Sequence, residues 1–189
     1  MNLEEKFRLI KEKHKEALLK TAARVVLGPS VVRVYKEGTK KEIQSMLEKI
    51  EIYVLANIKN QTEFKKWFEK YLATIVKIIN DTNKGNNRIG NGYGHAAKVL
   101  TLYTREIVLN SRYFSDKEVR KIERWLYTPI DGIVMKELWK RGEKLPFRRI
   151  RDINGQNFYQ LQEHLGKVAA KVGVPRIWFD DVWGMREDP

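Results

Sequence analysis

The sequence of 189 residues predicts an all-α domain. Apolar residues recur three and four positions apart through almost every long segment, the spacing that lines one face of a helix. Short clusters of Gly, Pro and Asn separate these segments, and such clusters break helices. One short apolar run, Val31 to Tyr35, reads instead as a strand or an extended connector, ended by Gly38.

The elements follow in order. Leu3 to Val26 is a helix with Phe7, Ile10, Leu18 and Ala22 on one side, stopped by Gly28-Pro29-Ser30. Thr39 is a good N-cap, and Glu42 three positions later completes a capping box. The helix that follows places Ile43, Met46, Leu47, Ile50 and Val54 at helical spacing. A third runs from Thr62 to Ile79, with Phe64, Trp67, Phe68, Tyr71, Leu72 and Ile75 for the core. Asn80 to Gly94 is the clearest break, with five Asn, four Gly, Lys84 and Arg88. Ala96 to Leu109 is apolar on almost every side, which places it in the middle of the protein. Ser115 caps a helix through Leu126, and Thr128-Pro129 starts another through Trp139. Pro146 to Ile153 is a basic connector. A helix from Gln156 to Val172 ends at Gly173, and a last short one holds Ile177, Trp178, Val182 and Trp183. The chain reads as a single helical domain over 1–189, or as two lobes divided near 80–94.

Composition bounds the function. Apolar residues are 42% of the chain, enough for a real core. Lys and Arg number 37 against 24 acids, a net charge of +13, which favours polyanionic partners. No apolar run approaches the roughly 18 residues of a membrane span. The charged, helical start Met1-Asn2-Leu3-Glu4-Glu5-Lys6 does not read as a signal peptide, so a cytoplasmic protein is expected. The absence of cysteine removes disulfides, thiol catalysis and zinc fingers. Charged residues at 32%, with abundant Lys, Glu and Ile, fit a thermophile.

Lys98 and Asp131 are the candidate catalytic pair. Lys98 closes Gly92-Tyr93-Gly94-His95-Ala96-Ala97-Lys98, a glycine turn opening the apolar helix. Burial there disfavours the charged form, and a neutral amine is a nucleophile that forms Schiff bases. The alternative is a lysine that snorkels to the surface or binds phosphate. Asp131 follows Thr128 and Pro129, which fit the N-cap and first helical position, with Asp131 at the third. An acid there is favoured by the helix dipole alone. Held ionised, it also stabilises a developing sugar cation.

The glycines of Ile89-Gly90-Asn91-Gly92-Tyr93-Gly94 suit a helix–hairpin–helix turn, whose amides face one DNA phosphate. A flexible loop ahead of a helix is the plainer reading. Arg88, Gly92, Gly94 and His95, with Arg148, Arg149 and Arg151 of the connector, are the candidate DNA-binding residues, a phosphate track if they share one face. Lys84 lies near the turn, and Lys140, Arg141 and Lys144 near the connector. Trp178, Phe179 and Trp183 read as core, or as a pocket that stacks on an everted base. Asp180-Asp181 reads as a helix surface. His14, His95 and His164 show no metal-ligand spacing.

Gly92 to Lys98 and Pro129-Ile130-Asp131-Gly132-Ile133-Val134 together resemble the helix–hairpin–helix DNA glycosylase superfamily. In that superfamily a lysine follows a glycine hairpin, and an aspartate ends a Gly/Pro-rich loop at a helix start. The separation of 33 positions between Lys98 and Asp131 looks more like the archaeal 8-oxoguanine glycosylase branch than the endonuclease-III type. The resemblance covers about Ile89 to Trp139 and implies a glycosylase-like core. It makes Lys98 the Schiff-base nucleophile and Asp131 the assisting carboxylate. Lys98 lies farther from Gly94 than in the usual hairpin, and the residues that read a damaged base have no match. The segment from Phe158 to Trp183 is also similar to small uncharacterised prokaryotic and mobile-element proteins.

The expectation is a DNA-binding protein with DNA glycosylase and abasic-site lyase chemistry at Lys98 and Asp131, needing no metal or organic cofactor. The alternatives are a non-catalytic DNA-binding protein of a plasmid, virus or archaeal host, and a protein-interaction module whose charge serves only solubility.

Overall fold

The computed structural model describes residues 2–184. Every regular element among the described residues is helical. In chain order they are α1 (Leu3–Val26), α2 (Pro29–Val32), α3 (Thr39–Leu47), a 3-10 turn (Ile52–Asn57), α4 (Gln61–Thr82) and α5 (Tyr93–Arg105). A π-helical turn (Glu106–Asn110) extends α5. Then come α6 (Asp116–Ile122), α7 (Gly132–Lys140), a second 3-10 turn (Ile150–Asp152), α8 (Gly155–Val172) and α9 (Trp178–Gly184). No helix among the described residues is long and apolar enough to cross a membrane.

The central position of α5 follows from its sequence. Its residues from Gly94 to Thr104 are buried apart from Lys98 and Leu102, which are half-buried. The hydroxyls of Thr101 and Thr104 donate back to carbonyls one turn earlier, so two polar side chains sit in the core without an unmet donor. The end of α1, α4 and the turn at Ile150–Asp152 pack around α5, and α3 packs against α4 and α1. An aromatic cluster of Phe64, Phe68, Tyr127 and Phe158 joins α4 to α8, with ring centroids 5.0–6.1 Å apart. Trp67, Phe68 and Tyr71 are core, as their spacing predicts.

Local signals explain several boundaries. Ser115 caps α6 in a reciprocal box with Glu118. Asn60 caps α4, and the left-handed Gly173 ends α8.

Four expectations are corrected. Val31 and Val32 are not extended; Pro29, preset for the first helical position, turns them into the short α2. Thr39 is not an N-cap: Gly38 takes that place at φ 85°, and the buried Thr39 hydroxyl bonds to Thr82 and Asn83 at the end of α4. Tertiary bonding outcompetes the local cap there. α3 ends at Leu47, so Ile50 and Val54 reach the core from a turn and from the first 3-10 segment. In α1 only Ala22, Ala23 and Val26 are buried, leaving Phe7 and Ile10 exposed because the first turns of this helix project beyond the core.

Candidate nucleic-acid interface and Lys98–Asp131 pair

Asp131 is the N-cap of α7, not its third residue. Its Oδ1 accepts from the amides of Ile133 and Val134 at 2.9 and 3.1 Å. Thr128 gives up the expected cap because it is fully buried: its hydroxyl donates to the Arg176 carbonyl and its amide to Gln162. Capping fixes the carboxylate and leaves Oδ2 facing Lys98, whose Nζ lies 3.4 Å away. Both side chains are largely enclosed, 13% exposed for Lys98 and 22% for Asp131. The pair joins the second turn of α5 to the N-cap of α7.

The pair lines a cleft of about 830 Å³. Arg33, Arg88, Arg148, Arg149 and Arg151 share that lining with Lys98, so six cations face it against the single carboxylate of Asp131. His95 lines it too, with Nε2 3.2 Å from the Arg88 carbonyl and the Tyr35 ring edge-on beside it. Burial lowers the His95 pKa, favouring the neutral ring. Among the described residues Arg33, Arg88 and Arg148 make no ion pair, so their charge is uncompensated. Arg149 and Arg151 share Asp152, at 3.0 and 3.8 Å, and Arg149 foremost holds that carboxyl below its usual range. Arg151 also donates to the Asn87 carbonyl, tying the basic connector to the glycine turn.

Gly92 and Gly94 do not line the cleft. Their role is close approach. A Cβ on Gly94 would overlap the Ile150 carbonyl oxygen, and one on Gly90 the Arg151 carbonyl oxygen. At Gly92, with φ 75°, it would stand 2.5 Å from Asn80 Oδ1. The glycine turn is therefore the seat on which the basic connector rests. Asn83, Asn86 and Asn91 hold the rest of this loop, bonding to the Lys36 amide, the Val34 carbonyl and the Tyr93 amide.

Other residues sort differently. Lys84 lies outside the cleft, as do Lys140, Arg141 and Lys144. Trp178 is 43% exposed, so it is not core, and neither it nor Phe179 reaches the cleft. The Trp183 side chain lies outside the described residues. Asp180 is not a free surface acid: it pairs with Arg105 at 3.5 Å, and Asp181 also meets that guanidinium. Sequence reading missed Ser30 of α2 and Arg33, the residue that follows that helix, both of which line the cleft. Pro29 at the head of that segment was the available signal.

No group of His, Asp or Glu among the described residues has the arrangement to hold a metal ion. Comparison with protein-family models, curated proteins and solved structures finds no match to this chain.

Proposed function

We propose that this chain binds DNA through the cationic cleft and performs base excision and abasic-site lyase chemistry there. The observation that carries the reading is the Lys98–Asp131 pair, enclosed and 3.4 Å apart in a cleft faced by five arginines. The arginines suit a phosphodiester backbone. The volume suits a flipped nucleoside.

The steps follow from the two side chains. Lys98 must lose a proton before attack, and Asp131 Oδ2 is an acceptor within reach. The Nζ lone pair forms a bond to the sugar C1′ while the glycosidic C1′–N bond breaks. Its electron pair leaves with the base, which takes up the proton held by Asp131 and so returns that carboxylate to its charged form. Ring opening then breaks C1′–O4′, O4′ takes up the proton shed by the nitrogen, and the cationic imine that results lies beside the ionised Asp131, whose charge stabilises it. Water returns the free amine, or loss of a C2′ proton expels the 3′ phosphate and cuts the strand.

Borohydride trapping tests this. The protein is mixed with duplexes carrying an abasic site, 8-oxoguanine or uracil, with Lys98→Gln in parallel. A covalent adduct lost in the variant is the expected result. An adduct that persists in Lys98→Gln would remove Lys98 from the chemistry.

One observation favours a second reading, DNA binding without catalysis. Both oxygens of Asp131 already have structural work, Oδ1 as helix cap and Oδ2 as the partner of an ammonium. Retained salt-dependent binding with no adduct on any of the three duplexes would select it.

A further inference from the structure

We infer that Asp180, delivered by α9 and held by Arg105, is a positioning residue that sets the charge environment of the Lys98–Asp131 pair. Its consequence for catalysis rests on the base-excision reading above; its effect on the pair does not.

The geometry starts on α5. Lys98 and Arg105 are seven residues apart, about two turns, and so lie on one stripe of the helix. Each meets a carboxylate from an early turn of another helix. Lys98 meets Asp131 at the head of α7, and Arg105 meets Asp180 in the first turn of α9. α9 packs against α7, which brings the two carboxylates to the same side of α5. The Asp180 side chain is 19% exposed and that of Arg105 is 24% exposed. The two pairs stand about two turns apart on α5, and all four charged side chains are semi-enclosed. Arg105 keeps its Nε buried with no acceptor, a cost that an exposed ion pair would not carry.

Four charged groups act on Asp180: Arg105 and Lys98 from α5, Asp131 from α7, and Asp181 on its own helix. Burial dominates and pushes its pKa up to about 6, against the pull of Arg105. Above that pH, Asp180 adds a second negative charge on this side of α5. Below it, Asp131 acts alone.

The test follows the Lys98 Nζ resonance by NMR in the full chain as pH is varied, together with the Asp180 carboxyl carbon. Asp180→Asn and Asp181→Asn are compared after circular dichroism has shown each to be folded. The expected result is a Lys98 shift change with the same midpoint as Asp180, lost in Asp180→Asn and kept in Asp181→Asn. A Lys98 resonance indifferent to the Asp180 titration overturns the inference. So does equal loss in both variants, which would assign the effect to Arg105. Borohydride trapping on an abasic duplex gives the second readout. The wild-type pH profile of trapping should carry a limb centred at about 6, and Asp180→Asn should lack that limb. A wild-type limb that survives in Asp180→Asn overturns the catalytic consequence. NMR coupling without any adduct supports the positioning role and overturns base excision instead.

Discussion

Gly94 and Ile150 approach so closely that no side chain fits between them: a Cβ on Gly94 would overlap the Ile150 carbonyl oxygen and stand 2.9 Å from Ile153 Cβ. This contact seats the basic connector on the opening of α5. Gly94→Ala must push the connector away, since its neighbours there are a backbone oxygen and a β-carbon. We expect a loss of about 1–3 kcal/mol in urea unfolding, with weaker DNA binding because Arg148, Arg149 and Arg151 move. Gly132→Ala is the contrast: a Cβ there meets nothing within 4 Å and the residue is helical. It should be neutral or stabilise by about 0.5 kcal/mol. Equal stability of the two variants would show that the connector yields freely.

Asp131 combines a structural and a proposed chemical role, and two substitutions separate them. Asn caps a helix as well as Asp does, while Ala removes the cap. Asp131→Ala should therefore be less stable than Asp131→Asn by about 1 kcal/mol in urea unfolding. Both should lose borohydride trapping, because neither supplies a negative charge beside Lys98. Trapping that survives in Asp131→Asn would leave the capping role only.

The cleft makes a quantitative statement about salt. If its five arginines each neutralise one phosphate, the slope of log K against log salt should be about −4.5 on duplex DNA. Arg33→Ala should flatten that slope by about one unit, although Arg33 lies far in sequence from the other basic residues of the site. Fluorescence anisotropy over a salt series measures both. An unchanged slope would take Arg33 out of the interface.

The sequence made the helices legible wherever burial and periodicity agree, as in α4, α5 and α8. It misled where a tertiary bond replaced a local one. Thr39 and Thr128 each have the chemistry of an N-cap, yet both are fully buried and bond to distant partners. The convergence of Arg88, Lys98, Asp131 and Arg148 on one cleft needed the chain's path, because the glycine turn and the connector are about sixty residues apart. Asp180 was read as a surface acid because its partner, Arg105, lies 75 positions earlier. The glycines themselves were visible in sequence. What they approach was not, since a missing side chain says nothing about its neighbour.

Arg176 is a buried cation whose guanidinium is met by neutral acceptors from three segments, another relationship no local pattern announces. It donates to the carbonyls of Trp125, Leu126 and Gln162 and to Gln61 Oε1, and its guanidinium lies 4.6 Å from the centre of the Tyr127 ring. Burial lowers its pKa to about 10, still high enough to keep it charged at neutral pH. It ties the chain entering α7 to α4 and α8, and so helps fix where Asp131 stands. Arg176→Met keeps much of the length and removes every donor, stranding buried carbonyls at about 1–3 kcal/mol for each that finds no water. We expect a fall of at least about 3 kcal/mol in unfolding free energy with the urea m-value unchanged. Arg176→Lys should recover only part of that, because one ammonium cannot reach acceptors on three segments at once. Full recovery by lysine would mean that charge over the Tyr127 ring, and not the fork of hydrogen bonds, holds this junction together.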